Sequence, residues 1–417
     1  MAPFAGNLPV ALDGGFKAFR ERFGLKRLVY LAPIPLDSPS QRPHHFVEWA
    51  HARWDCEVWW VQPYPVRLPR RGDLRRVRKA SAHGTPAGLG PTWHDAEWLH
   101  VVELTRLPVE PLPGGRALLR TLHARKRQQL LALLAQEDSW LAVGRPSGLA
   151  LDLCKALQGR HVLYDVMDDM PQFSRGLSQR WMCHAHEALV AQAQAVWGSA
   201  RQLVQSMQGR TRNAPALVRN GTVVPQDQPG AVVSVAPAAL HAEAPWVIGY
   251  VGTIASWFDW EALSRLAQAL PQAHIHLYGP LETTVPAGLP RQVKRFPAVP
   301  HAQVFDLLRG WHAGLIPFVK NRLTASVDPV KYYEYRACGL PVLTTLFGEM
   351  PHHASTDGGV WDMQDVQVLQ TLGTRLLEWH SPVAGQAAQG ESSARLLREA
   401  SWAARFDAGV QAVNWAR

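Results

Sequence analysis

The chain reads as an α/β protein with two doubly wound sheets facing each other across a cleft. Three observations predict this. Short apolar runs alternate with helical patterns along the first half, the signature of a mostly parallel sheet joined by crossover helices. The alternation restarts after residues 221–245, a stretch rich in Pro, Ala, Val and Gln with few helix or hairpin signals. A length of 417 residues also exceeds what one ordinary core holds.

In order, strands are predicted at 27–32, 57–61, 98–104, 140–144, 161–166, 195–198 and 216–220. Helices fall at 44–53 and, long and basic, at 116–136. Strands at 246–252, 274–278 and 313–318 then alternate with helices at 259–270 and 301–309. The expected division is a first domain over 1–225, a linker over 226–245 and a second domain over 246–401. In such sheets ligands bind at the carboxyl ends of the strands, so functional residues are sought in the segments that follow them.

Composition narrows the class. Hydrophobic content of 47% and charged content of 18% describe a globular protein. No run of about 18 apolar residues is present and the first residues lack an apolar signal-peptide core, so a cytoplasmic location is expected. Cys56, Cys154, Cys183 and Cys338 are widely spaced and read as buried thiols, not a disulfide framework or zinc site. His184 and His186 do not share a helix face, so no metal is expected there. The net charge of +9 is concentrated at Arg67, Arg70, Arg71, Arg75, Arg76, Arg78 and Lys79, and again at Arg116, Arg120, Arg125, Lys126 and Arg127. Such stretches are either solvated loops or surfaces for an anionic membrane or a phosphorylated substrate. The first has no interleaved aromatics, which argues against nucleic acid.

The most informative segment is 326–342. Asp328 suits an N-cap, Pro329 the first helical position and Gly339 the C′ position, and Pro341 cannot continue the helix. Lys331 and Glu334 then share one face near the helix N-terminus, where free N–H groups and partial positive charge favour phosphate. A cation for phosphate and a carboxylate for ribose hydroxyls make a nucleotide grip. The bland alternative is an amphipathic helix with a surface ion pair.

The sequence PVKYYEYRACGLPV at 329–342 resembles the donor-site helix of GT-B glycosyltransferases, P-x-K-x-x-E-Y-x-A-x-G-x-P-V. It is similar to the family-four-like bacterial enzymes that build cell-surface polysaccharides. Further segments resemble the same family in the same order: QRPHH at 41–45, YDVMDDM at 164–170, RNGT at 219–222, GYVGTIASWFD at 249–259, YGP at 278–280 and IPF at 316–318. The resemblance implies a GT-B fold of two Rossmann-like domains and metal-independent transfer of a sugar from a UDP, dTDP or GDP sugar to a glycan, lipid-linked or small-molecule acceptor. No cofactor beyond that co-substrate is implied. The donor would meet Gly252, Thr253, Tyr278, Pro317, Lys331 and Glu334. Tyr332, Tyr333 and Tyr335 read as packing residues. Gln41, Arg42 and His44 would face acceptor or phosphate, while His45 reads as structural. Asp165, Asp168 and Asp169 are the candidates for a catalytic base, with helix capping as the alternative for the last two. The segment from Ser401 resembles the tail helix of the family, which implies that 402–417 packs back onto the first domain.

Two departures bear on chemistry. Retaining family-four enzymes carry E-x7-E, whose second Glu matches Glu334, but the first position is Ser326. The Arg and Lys that follow the glycine turn in many retaining members are replaced by Ala255-Ser256-Trp257-Phe258. The pattern with Lys331 partly resembles the inverting, xanthan-type glucuronosyltransferases, and stereochemistry stays open. A non-hydrolysing nucleotide-sugar epimerase and a non-catalytic partner of another transferase are the alternative functions.

Overall fold

The computed structural model describes residues 24–69, 91, 93–223, 245–300, 303–381, 396 and 398–413. The linker assigned to 226–245, apart from Pro245, lies outside the described residues, as do the basic run from Arg70 to Lys79 and the tail from 414.

The first sheet is entirely parallel and has seven strands in the order β3-β2-β1-β4-β5-β6-β7. They are β1 Arg27–Leu31, β2 Glu57–Val61, β3 Leu99–Val102, β4 Ser139–Val143, β5 Val162–Val166, β6 Ala195–Gly198 and β7 Ala216–Leu217. Both faces are covered, which is why these strands read as unbroken apolar runs. Alternate residues serve opposite faces. Val29, Leu31, Leu141 and Val143 pack with Leu130, Leu153 and Leu189 of one helical layer. Leu28, Tyr30, Val58, Trp60 and Trp197 pack on the other face with Phe46, Trp49, Phe406 and Val410.

The second sheet is also parallel, in the order β10-β9-β8-β11-β12-β13. Its strands are β8 Val247–Val251, β9 His274–Tyr278, β10 Val293–Phe296, β11 Ala313–Ile316, β12 Val342–Thr344 and β13 Val360–Asp362. Each sheet has a switch point, between β1 and β4 in the first and between β8 and β11 in the second, where a crevice opens at the strand ends.

The helix expected over 116–136 is two helices, Gly115–Leu122 and Ala124–Leu134. His123 stands at the break, buried, with Nε2 3.1 Å from the Thr105 carbonyl. Edge strand β10 was not expected. Its sequence VKRF has an exposed Lys294 and Arg295 and no apolar run.

Near the end of the chain, the helix Trp402–Ala412 lies against the first sheet's helix Arg42–Trp54. The Ser401 hydroxyl caps it, accepting from the Ala404 N–H at 3.2 Å. Trp402 stacks on His45 at 5.1 Å, and Asp407 accepts from the Trp49 indole N–H at 2.8 Å and from the Arg53 guanidinium.

Candidate functional site

The second sheet contributes a turn, a cation and a carboxylate. Strand β8 ends at Val251 and the chain turns through Gly252, at φ +142°. Its neighbour β9 ends at Tyr278 and turns through Gly279, at φ +138°. Side chains are strained at both angles. A Cβ on Gly279 would also overlap the Gly252 carbonyl, so the two turns run in contact. The Gly252 N–H donates to the Tyr278 carbonyl at 2.8 Å, and the Tyr250 hydroxyl donates to the Thr253 carbonyl at 2.7 Å.

Helix Val330–Ala337 faces this turn. The Lys331 amine lies 5.4 Å above the Tyr250 ring, and a Cβ on Gly252 would sit 2.7 Å from its Nζ. Burial lowers the Lys331 pKa, with Glu334 acting the other way. Glu334 is 8% exposed, one turn along the same helix. The Val251 N–H donates to the Tyr335 hydroxyl at 3.2 Å and ties the helix to β8. The helix stops in a Schellman motif: the Gly339 N–H donates to Arg336 O and the Leu340 N–H to Tyr335 O, both at 3.0 Å. Gly339 takes the left-handed φ of +74° that this stop requires.

The start of the helix differs from expectation. Pro329 is the N-cap residue, and the Asp328 carboxylate caps nothing. It is fully buried and accepts from the Asn220 N–H at 2.9 Å, the Tyr333 hydroxyl at 2.8 Å and His353 Nε2 at 2.9 Å. Burial acts to raise its pKa, but these bonds outweigh it and hold the carboxyl below its ordinary range. Of the remaining donor-side candidates, Tyr278 stacks on Phe296 at 4.5 Å at the rim. Pro317 is buried, and its carbonyl accepts from the Asp259 N–H at 2.7 Å.

The first sheet contributes the end of β5 and the start of helix Arg42–Trp54. Arg42 and Asp165 form a buried two-pronged pair, Nε to Oδ2 at 2.9 Å and NH2 to Oδ1 at 2.8 Å. A third Arg42 nitrogen donates to the Val218 carbonyl at 2.8 Å. Both side chains therefore join β5, the helix and the segment just after β7. His44, named with Arg42 for acceptor or phosphate, packs beside it. It is fully buried, stacked on Trp60, and both ring nitrogens are engaged, Nδ1 accepting from the Gln41 N–H at 3.1 Å and Nε2 facing the Leu36 carbonyl at 3.1 Å. Burial lowers its pKa to about 4, so it is a neutral cap. Gln41 is exposed, and its side-chain amide donates to the Pro39 carbonyl at 3.3 Å.

Asp168 and Asp169 are half-buried just beyond β5. Burial raises the Asp168 carboxyl to about 7, opposed by Arg42 and reinforced by Asp169 and Asp165. Asp169 is also raised by burial, against a hydrogen bond with Gln172. A carboxyl poised near neutrality can take a proton.

Two polar joints bring the strand ends of the sheets together. Glu349 accepts from the Arg201 N–H at 2.7 Å and from Arg219 NH2 at 2.9 Å. Asn220 bonds Asp328 through both its N–H and its side-chain amide. Sequence reasoning missed Glu349, Arg201 and the role of Asp328, because partners more than a hundred residues apart leave no spacing signal.

No family model matches this sequence, and no curated protein matches it. Solved structures do. The Anabaena protein Alr3699/HepE in complex with UDP-glucose superposes with a TM-score of 0.58 at 14% identity, over 92% of this chain and 98% of that one. Sucrose-phosphate synthase from Thermosynechococcus elongatus gives 0.58 at 13%, over 93% and 98%. An α,α-trehalose-phosphate synthase (UDP-forming) from Burkholderia vietnamiensis gives 0.55 at 12%, over 94% and 98%. At such identities the likeness shows the fold, which is the two-domain, Rossmann-like GT-B arrangement.

Proposed function

We propose that this GT-B chain is a glycosyltransferase that moves a sugar from a nucleoside diphosphate to an acceptor hydroxyl. The observation that carries it is the apposition of the Gly252 turn, Lys331 and Glu334 at the switch point between β8 and β11. The turn lets a diphosphate approach the backbone, Lys331 and the helix N-terminus meet its charge, and Glu334 accepts the ribose hydroxyls. Structures of similar fold bound UDP or UDP-glucose, or are described as UDP-forming, which supports UDP as the nucleotide. In this reading residues 246–401 hold the donor and residues 1–225 select the acceptor.

The chemistry follows from charge. The Asp168 carboxylate takes the proton of the acceptor hydroxyl. The acceptor oxygen attacks the anomeric carbon, the bond from that carbon to the diphosphate oxygen breaks, and the nucleoside diphosphate leaves with the electron pair towards Lys331. Ser326, 3% exposed, offers no carboxylate on the donor side, which favours a single inverting displacement.

The test is a thermal-shift panel with UDP, GDP, dTDP, ADP and CMP on wild type, Lys331→Ala and Glu334→Ala. A ligand that binds only the native state raises Tm by mass action. One diphosphate should shift wild type, and each substitution should weaken it by about tenfold to a hundredfold, the loss of a charged hydrogen bond. Normal affinity in both variants rejects the site. Conversion of donor without acceptor would identify the epimerase instead, and no nucleotide binding would favour the non-catalytic partner.

An inner-face membrane location has a local support. Helix Gly115–Leu122 exposes Leu118 and Leu122 at 49% and 46% of their surface, one turn apart, beside exposed Arg120. Among the described residues no helix is long and apolar enough to cross a membrane. Apolar and basic side chains on one short helix suit an anionic surface. Co-sedimentation with phosphatidylglycerol vesicles should fall in a Leu118→Glu, Leu122→Glu variant; equal sedimentation removes this reading.

A further inference from the structure

We infer that the first domain holds the donor helix in place, with Asn220 and Arg405 as positioning residues for Lys331. This rests on the donor-site reading and adds that the nucleotide grip is not self-contained within residues 246–401. Helix Val330–Ala337 has no side-chain cap, and its N-cap residue is Pro329. A short helix with an open first turn takes its position from what it packs against. Two of its faces are engaged. Lys331 and Tyr335 meet the Gly252 turn and β8. Val330 and Tyr333, three apart, share a neighbouring face, and that face meets the first domain. Val330 packs against the core layer that contains Leu28, Tyr30, Trp402 and Phe406. The Arg405 guanidinium, on helix Trp402–Ala412, lies over the Tyr333 ring, 5.7 Å from its centroid. The Arg405 Nε is buried and has no hydrogen-bond partner among the described residues. A desolvated guanidinium over a ring face is the stronger form of this contact.

Asn220 holds the residue before the N-cap. Its side-chain amide donates to the Asp328 carbonyl at 2.5 Å, and its main-chain N–H to the Asp328 carboxylate at 2.9 Å. The same carboxylate accepts from the Tyr333 hydroxyl at 2.8 Å, so the Asn220 and Arg405 contacts converge on one turn of the helix. On its other side the Asn220 amide oxygen accepts from Arg42 at 3.3 Å, and Arg42 is locked on Asp165 at the end of β5. An amide suits this middle position because it accepts from a cation and donates to a carbonyl at once. Asp165, Arg42, Asn220, Asp328 and Tyr333 are all buried, so each of these bonds is costly to lose. The series runs from the strand end that leads to Asp168 to the start of the helix that bears Lys331 and Glu334. It sets the grip in register with the first domain.

The experiment measures UDP affinity by calorimetry, and backbone hydrogen exchange without nucleotide, on the full chain. Asn220→Asp keeps an acceptor for Arg42 and removes the donor to Asp328. Arg405→Met keeps an extended side chain and removes the cation, and Arg405→Lys restores the charge. Asn220→Asp and Arg405→Met should each lose about tenfold in UDP affinity, and Arg405→Lys should recover part of the loss. Arg53→Met breaks an ion pair that the same C-terminal helix makes through Asp407 within the first domain, and it should bind UDP as wild type does. In hydrogen exchange the amides of 331–334 should exchange faster in Asn220→Asp and Arg405→Met, and those of 247–251 as in wild type. Wild-type UDP affinity in either variant, unchanged exchange at 331–334, or an equal loss of affinity in Arg53→Met overturns the inference. If wild type itself binds no UDP, the donor reading falls, and hydrogen exchange alone decides whether Asn220 and Arg405 position the helix.

Discussion

Single residues here carry opposed demands of stability and chemistry. The Asp168 carboxyl is raised to about 7, so in the folded protein it keeps its proton where the unfolded chain has lost it. Stability is therefore unaffected below the ordinary carboxylate range, declines as pH rises towards 7, and stays reduced above it. Asp168→Asn should melt higher than wild type at pH 8, by on the order of a few kcal/mol, and the same at pH 3.5. Transfer should fall by about a hundredfold or more, and the wild-type rate should climb with pH through about 7 because the base must be free of its proton. A variant with full activity and a flat stability difference would return Asp168 to a capping role. Arg336, 1% exposed, shows the structural counterpart: Asp357 accepts from it at 2.7 and 3.1 Å. Arg336→Leu strands that carboxylate, and chemical denaturation should show a loss of about 3–5 kcal/mol.

At the scale of elements, helix Val330–Ala337 is held by its stop and by its contact with β8 more than by its start. Gly339 at φ +74° cannot be replaced without left-handed strain, so Gly339→Ala should lower stability by about 1–2 kcal/mol in denaturant titration. Gly252→Ala adds a clash to the backbone strain of φ +142°. Its methyl would meet the Lys331 side chain, so nucleotide affinity should drop more than melting temperature does. Equal losses in both would make Gly252 a turn residue only. The stop was legible because Gly339 and Pro341 are local signals. The break at His123 was not, because a buried hydrogen bond to Thr105 decides it and helical periodicity continues through it.

The whole molecule depends on polar joints between its sheets. Glu349 gathers Arg201 and Arg219, and Asp328 gathers Asn220, Tyr333 and His353. Removing the Glu349 carboxylate by Glu349→Ala should loosen the two halves, seen as a larger radius of gyration by small-angle scattering without loss of helical circular dichroism. An unchanged radius would show that helix Trp402–Ala412 suffices as the clasp. That helix buries Trp402 and Phe406 against the first sheet's core, so Trp402→Ala should cost about 3–5 kcal/mol, read by thermal melting. Acid should weaken the Asp328 joint: its lowered pKa contributes stability above the ordinary carboxylate range that is lost as pH falls through the depressed value.

The sequence by itself determined the fold class, most strands, the stop of the key helix and the face shared by Lys331 and Glu334. These follow from periodicities of 2 and 3.6 and from local turn chemistry, which act over a few residues. The tertiary structure alone decided which charges are free to act. Arg42, Asp165 and His44 stand in motif positions beside Asp168, yet burial and partners as far as Val218 engage them. A charge's availability depends on its desolvation and on distant partners, and neither is written in local spacing.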